Sequence, residues 1–419
     1  MASTRIIVDR LAGYTRTALL KDNLLTDLFI DDADDLAPGP GAVLRARVER
    51  VFPDHDRVSL DIGGIPASMR NRGGKAVRPG EMILATVAAE AREKKPLQLR
   101  RGLFRAGRYV MVEDGAAERR LSRGLRETGY MPPDDLLRPL SSLTITLRRA
   151  VAGADPSWVK AEFDELVTWA ESILDLPSSG PAILAPAITG IEEARLVEPD
   201  AEMVMDDDGS AWEEAGIDEA LEAALAPTVF LAGGGAIHIS TPPGAAVIDG
   251  DSGDDALAPM QLARAMVPEV ARQIRLRRIG GPVVIDFPRL GAKDRRQIAD
   301  LMDAAVQDDP CRPRCHGFTE GGLFTLTRPW RWRSLAVHLA PSPARIGRDA
   351  LRLLRRNGAR RPHHPLEICL PPAGLEWLEG PGALSRAKIE EGLVFAPRFR
   401  SDSTLDHAFV QDMAPKRKG

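Results

Sequence analysis

AAVIDGDSG at 245–253 and GGPVVIDFPRL at 280–290 enclose a basic amphipathic segment, ARAMVPEVARQIRLRRIGG at 263–281. Each flank is a short apolar, β-branched run that ends on an acid: Val247-Ile248-Asp249 and Val283-Val284-Ile285-Asp286. Continuous apolar runs of this length, bounded by glycine, read as buried strands. Between them Met266, Val270, Ile274 and Ile279 recur at roughly helical spacing. Strand, helix and strand imply a parallel pair joined by a right-handed crossover. Asp249 and Asp286 then sit at the carboxyl ends of neighbouring strands, the edge where open α/β sheets place their sites. Asp251 leaves the strand on the same side. Converging carboxylates repel one another unless a cation lies between them, and hard oxygen donors suit Mg²⁺ or Mn²⁺. The competing reading makes Gly250-Asp251-Ser252-Gly253 a turn and the strand-end acids helix caps.

These residues resemble the catalytic core of the ribonuclease E/G family. That family carries a strand ending Ile-Asp-x-Asn-Ser-Gly, a helix with Ala-Arg-Gln-Leu-Arg-Leu-Arg, then Gly-Gly-Leu-Ile-Val-Ile-Asp-Phe. This chain reads Ile248-Asp249-Gly250-Asp251-Ser252-Gly253, Ala271-Arg272-Gln273-Ile274-Arg275-Leu276-Arg277, then Gly280 to Phe287. A further run, His316-Gly317-Phe318-Thr319 with Gly322-Leu323 and Thr327-Arg328, is similar to the family's His-Gly-Phe-Thr-Arg-x-Gly-Leu-Val-Glu-Met-Thr-Arg. Glu320 and Thr325 depart from it, and Asp251 stands where the family has Asn.

The resemblance implies a multidomain α+β chain. An OB-type RNA-binding barrel (37–105) is inserted in an RNase H-like domain (1–36 and 171–225), with a 5′-sensor-like region at 106–170. A DNase I-like α/β catalytic domain (226–340), a small C-terminal domain (341–412) and a disordered basic tail (413–419) follow. It implies an endoribonuclease that cuts single-stranded RNA, with a ribosomal RNA precursor as one candidate target, leaving 5′-phosphate and 3′-hydroxyl ends. Asp249 and Asp286 would hold Mg²⁺, or alternatively Mn²⁺, and Asp251 would orient or supplement the site. The alternative is a catalytically impaired RNA-binding paralogue that serves as a ribosome- or RNA-associated factor.

The 419 residues suffice for several domains, and 44% hydrophobic with 28% charged residues is ordinary for a soluble protein. A net charge of −4 gives no global pull on nucleic acid, so RNA affinity falls to local patches such as Arg272, Arg275, Arg277 and Arg278. Three cysteines, Cys311, Cys315 and Cys369, make no secreted disulfide framework and predict a reducing cytoplasm. Cys311 and Cys315 lack zinc-knuckle spacing, and the family's zinc-link cysteines have no counterpart at 330–347. No zinc is expected, and a homodimer would need another route. No run has the length of a membrane span, and MASTRIIVDRLAG lacks the apolar core of a signal peptide.

RIIVDRL, TRTALLKDN and LTDLFIDD alternate as two or three strands before the linker Ala37-Pro38-Gly39-Pro40-Gly41. VLRARVERVF, RVSLDIGGIPASM and EMILATVAAEA read as barrel strands. Ser59 and Ser68 occupy positions where the family presents base-stacking aromatics, which leaves charge to hold RNA: Arg45, Arg47, Arg70, Arg72 and Lys75. The basic run 92–126 interleaves Phe104 and Tyr109 and includes Arg123. Leu147-Arg148-Arg149-Ala150 is similar to the sensor's Val-Arg-Thr-Ala: Arg148 keeps the phosphate-binding guanidinium, and Arg149 replaces the Thr hydroxyl. SWVKAEFDELVTWAESILDL (157–176) predicts a packing helix with Trp158, Phe163, Val167, Trp169 and Ile173 on one face. Arg328 is a candidate phosphate contact. His238, alternating on the hairpin before Asp249, is read as structural. Pro268 interrupts the crossover helix, and the loop Asp254 to Pro259 is acidic where the family's is basic.

Overall fold

The crossover pair forms as the sequence predicts, in the middle of a six-stranded sheet. In the computed structural model the strands run in the order Thr228–Phe230, Ala236–Ser240, Ala246–Asp251, Gly281–Asp286, Phe324–Arg328, Arg314–Phe318. Ala246–Asp251 and Gly281–Asp286 are parallel, and the other neighbours are antiparallel. The structure describes residues 3–11, 13–35, 37–71, 76–92, 95–133, 142–177, 179–253, 257–361 and 363–412. The tail at 413–419, Arg72, Lys75 and the acidic residues Asp254 and Asp255 lie outside the described residues.

The crossover helix is Pro259–Leu276, with Pro259 in its first turn, where a missing N–H costs nothing. Pro268 lies inside this helix without ending it. The helix holds its course because Leu262, Ala263, Met266, Val267, Val270 and Ile274 pack on Ile237, Ile239, Ile248, Val283 and Ile285 of the sheet. A Cβ on Gly250 would meet the Met266 sulfur at 2.4 Å, so glycine is what lets the helix close on the strand. A second helix, Ala292–Ala305, adds Ile298 and Met302 to this core. The opposite sheet face, bearing Val247, His238, Asp249 and Asp286, stays open.

Two further sheets belong to the same compact unit, which comprises 1–34, 193–330 and 334–419. One has the order Glu202–Asp206, Thr4–Leu11, Tyr14–Lys21, Leu24–Asp32, with the first two strands parallel. Its hairpin turn Asp22-Asn23 takes φ of 51° and 63°, the left-handed pair that a two-residue turn needs. Trp212, Ile217 and Leu221 pack on this sheet beside Ile7, Ala18 and Leu20. The other sheet has Leu366–Leu370 between Arg398–Ser401 and Phe409–Asp412. The strand Arg398–Ser401 starts just after Pro397, which offers no N–H to a ladder. The helix Pro343–Arg360 buries Ala350, Leu351 and Leu354 in one cluster with Leu11 and Tyr14, which joins the C-terminal segment to the N-terminal sheet.

The second unit comprises 35–192 and 331–333. Val43–Phe52, Arg57–Asp61, Pro66–Arg70, Leu97–Arg101 and Met82–Ala89 pair in that order, and the last returns to the first, which closes a five-stranded barrel. Ala182–Ala185 adds to Val43–Phe52. A four-stranded sheet, Glu118–Leu121, Leu143–Leu147, Val110–Asp114, Phe104–Ala106, carries the helix Pro156–Leu174. That helix buries Val159, Phe163, Leu166, Val167, Ala170 and Ile173. Trp158, expected on its apolar face, is 63% exposed, because the buried stripe is anchored one residue later, at Val159. The molecule is therefore a mixed α+β chain with one closed barrel and several separate sheets.

Candidate active site

Asp249 and Asp286 stand directly opposite each other in the parallel ladder. Both are exposed, on the face the helices leave uncovered; Asp286 ends its strand, and Asp249 lies two residues before the end of its own, which runs on to Asp251. Neighbouring strands lie about 4.8 Å apart, so the two carboxylates are adjacent by construction. Asp251, two residues on, faces the same side, as the strand period of two requires. One Asp251 oxygen accepts the Gly253 N–H at 2.9 Å, which closes the turn expected of Gly250-Asp251-Ser252-Gly253. The other lies 3.7 Å from His238 Nε2.

His238 pairs in register with Asp249, and Thr228 with His238, so Thr228, His238, Asp249 and Asp286 form one row across four strands. Thr228 Oγ1 and His238 Nδ1 are 2.9 Å apart. Sequence reasoning set His238 aside; its signal was alternation on the hairpin, which sends it to the same face as the acids. Arg289 and Lys293, just beyond Asp286, are exposed and bring positive charge to this edge. Among the described residues no group of three or more His, Cys, Asp or Glu side chains is arranged to hold a metal ion.

The arginines of the crossover helix are placed differently from a free basic stripe. Arg272 bonds Glu269 and the Leu25 carbonyl; Arg275 bonds Asp27 at 2.8 Å; Arg278 donates to the Leu28 carbonyl. Arg277 donates to Gln273 and to the Ala226 carbonyl, and burial pushes its guanidinium down to about 10. The run thus clamps the helix to the strand Leu24–Asp32 and its surroundings. Arg328 is buried and makes two bonds to Asp309, at 2.7 and 3.1 Å. Burial, together with the neighbouring Asp303 carboxylate, pushes the Cys315 thiol up to about 12, so it stays protonated.

Residues 191–331 match the model of the Ribonuclease E/G family. That segment, about a third of the chain, carries the likeness to the ribonuclease E/G family. Curated relatives agree: it is similar to Ribonuclease E of Nostoc sp., 36% identical over 121 residues, which is 27% of this chain and 17% of that protein. Ribonuclease E of Synechocystis sp. is 32% identical over 126 residues, 28% of this chain and 19% of the relative. Ribonuclease G of Escherichia coli (strain K12) is 29% identical over 135 residues, 29% of this chain and 27% of the relative. These matches therefore span between a sixth and about a quarter of the relatives' own lengths. Both Asp249 and Asp286 fall inside the ribonuclease E/G segment.

Outside that segment, the remaining candidate residues are distributed unevenly. In the barrel, Arg45 is buried and donates to the Ser179 carbonyl at 2.7 Å, whereas Arg47 is exposed. Ser59 donates to Glu49, and Ser68 is buried against Gln98. At the stretch compared with the ribonuclease E/G sensor, Arg148 donates to the Gly107 carbonyl. The Glu162 carboxylate accepts the amides of Arg108, Tyr109 and Val110 at 2.9, 2.6 and 2.8 Å. A Cβ on Gly107 would lie 2.4 Å from Glu162 Oε1. A ring of amides able to hold an anion is thus already filled from within, by a helix residue that no local pattern singles out. Arg123 is exposed and pairs with Glu127 at 3.0 Å.

Proposed function

We propose that this protein is a Mg²⁺-dependent endoribonuclease that cleaves single-stranded RNA and leaves 5′-phosphate and 3′-hydroxyl ends. The reading is carried by one observation: Asp249 and Asp286 sit side by side on an open sheet face, inside the segment that matches the ribonuclease E/G family. The relatives' names supply the substrate class. The donor chemistry fits the metal, because Mg²⁺ is bound through one or two carboxylates with water and substrate phosphate completing its octahedron, and Mn²⁺ accepts the same ligands. Bound there, the ion supplies an activated water and neutralises charge on the scissile phosphate.

The chain's own residues do the rest. Asp249 and Asp286 would hold the cation from neighbouring strands. Asp251, held by the Gly253 N–H and flanked by His238, orients the approach and adds negative charge at the mouth. Arg289 and Lys293 balance the phosphate that enters. The open face demands a single strand whose phosphates can reach the floor of the sheet. With Arg45 buried and Ser59 and Ser68 engaged internally, the barrel offers charge rather than base stacking, which favours a narrow target such as a ribosomal RNA precursor.

The test is cleavage of a 5′-monophosphorylated single-stranded RNA in Mg²⁺ by the wild type, Asp249→Asn and Asp286→Asn. Each substitution is expected to lower the rate by roughly 100- to 1,000-fold with RNA binding retained. A wild type that binds RNA but cuts none of a varied panel, with binding indifferent to both substitutions, would establish the RNA-binding paralogue instead.

A further inference from the structure

The open face of the six-stranded sheet carries a large apolar side chain that the acid pair does not explain. Phe230 ends the strand Thr228–Phe230, the outermost of the sheet among the described residues, and is 83% exposed. A solitary exposed apolar residue is ordinary; register makes this one informative. Phe230 pairs with Ala236, and Ala236 with Asp251, so the side chain between the ring and that carboxylate in the row is a methyl group. The next row carries Thr228, His238, Asp249 and Asp286. Two strand spacings, about 10 Å, separate the Phe230 strand from the Asp249 strand, the reach of a nucleotide or two. Val247, 39% exposed, precedes Asp249 on the same face and adds a second apolar point. Arg289 and Lys293 follow the Asp286 strand, which lies on the other side of the Asp249 strand from Phe230.

Asp249, Asp251 and Asp286 share this face, and their charge repels a polyanion. A strand that crosses them needs a contact indifferent to charge. A nucleobase on an aromatic ring is such a contact, and every base has a π-face to offer. The barrel does not supply it, because Ser59 and Ser68 bring no ring. The polar side chains nearest Phe230 in these rows are already engaged: Thr228 Oγ1 and His238 Nδ1 are 2.9 Å apart, and His238 Nε2 is 3.7 Å from Asp251. Recognition at Phe230 therefore falls to stacking rather than to hydrogen bonds with base edges, and the larger face of a purine gains more from it than a pyrimidine.

We propose, on the reading that RNA lies on this face, that Phe230 is a stacking platform for an unpaired nucleobase a nucleotide or two from the phosphate at the acid pair, with purine preferred to pyrimidine. Stacking on Phe230 holds the strand over the carboxylates, and Arg289 and Lys293 meet its phosphates beyond them. The platform needs RNA to bind here and does not need it to be cut.

The experiment is fluorescence anisotropy with short labelled strands and the full chain carrying Asp286→Asn, so that no RNA is cut, with and without Phe230→Ala. The probes are oligoadenylate, oligouridylate and an abasic ribose-phosphate strand of the same length. Phe230→Ala is expected to weaken oligoadenylate about tenfold, within the range for loss of one stacked base. It should weaken oligouridylate less and leave the abasic strand unchanged, and Phe230→Trp should restore affinity. The ring is exposed, so the urea midpoint should stay where it is. Equal affinity of Phe230→Ala for oligoadenylate overturns the proposal, and so does an equal loss on the abasic strand. A shift of the RNA-free chain from dimer to monomer in Phe230→Ala, with RNA affinity unchanged, also overturns it and assigns the ring to a contact between copies. Cleavage assays on the same chains, with Asp286 restored, separate this inference from the nuclease reading. A chain that cuts no RNA but keeps the base-dependent loss sinks the nuclease and leaves the platform. A chain that cuts RNA with the same KM and affinity in wild type and Phe230→Ala does the reverse. Failure of every probe to bind overturns both.

Discussion

Glu162 in the 35–192 unit collects three backbone amides, and Asp9 in the other unit collects three guanidiniums. In hydrogen bonds the two carboxylates are alike. In charge they are opposite. Amides are neutral, so Glu162 satisfies its neighbours without any counter-charge among them. Around Asp9 the partners are cations, and other acids share them: Arg352 also bonds Asp349 at 3.0 Å, and Arg16 lies 3.5 Å from Asp218. The first place is therefore a tie made by neutral dipoles; the second is a buried network of ions. A count of polar contacts would rank them equal, and only the charge of the partners separates the two.

The sharpest way to break this comparison is at Asp9. Asp9→Asn leaves three buried guanidiniums facing a neutral amide, and loss of one partner from a buried network costs about 3–5 kcal/mol. Urea denaturation should show that loss, larger than for any other single carboxamide replacement proposed below. The pH dependence has a definite sign. Burial alone would raise the Asp9 carboxyl, but Arg352, Arg16 and Arg355 outweigh it and hold it far below the usual carboxylate range. Its contribution is fully present above the unfolded value of about 4 and is lost as pH falls from there towards the depressed folded value. The stability gap between wild type and Asp9→Asn should therefore be constant from neutral pH down to about 4 and close in stronger acid. A gap that stays constant through acid would mean that Asp9 does not hold its charge against those arginines.

Glu162→Gln comes next. The carboxamide keeps one acceptor oxygen where three amides donated to two, so about 1–2 kcal/mol should be lost. Hydrogen exchange should quicken at Arg108, Tyr109 and Val110 and remain unchanged in the six-stranded sheet. If Glu162→Gln cost more than Asp9→Asn, charge would not be the variable that divides the two places.

How much of this was legible beforehand depends on distance along the chain. The acid pair was readable because each strand announces itself within a few residues and the helix between them keeps a local period; Asp249 and Asp286 then fall opposite by topology. The barrel strands were readable from their turns. The fate of Arg275 and Arg277 was not. A run of arginines looks the same whether it faces solvent or clamps a neighbour, and Asp27, the partner of Arg275, lies 248 residues away. Asp9 and Arg355 are 346 residues apart, and nothing near either one records the other. Trp158 shows a smaller failure of the same kind: two adjacent apolar residues compete for one helix face, and packing chose Val159. His238 was visible by alternation, but its companions were not, since Thr228 and Asp251 meet it across strands.

The smallest expected effect separates fold from function at one residue. Arg123 is 89% exposed, and its pair with Glu127 is a surface contact of the kind that water and salt screen. Arg123→Ala should leave the denaturation midpoint where it is. If the basic run that begins before the helix Arg123–Arg126 tracks an RNA backbone, the same variant should weaken RNA binding by a few-fold and reduce the slope of log K against log salt by about one. The contrast with Asp9 is then complete: a buried arginine cluster sets stability, whereas an exposed arginine touches stability not at all and acts only on the polyanion. An unchanged salt slope would remove Arg123 from the RNA path and leave the exposed Arg47, on the barrel, as the residue to vary next.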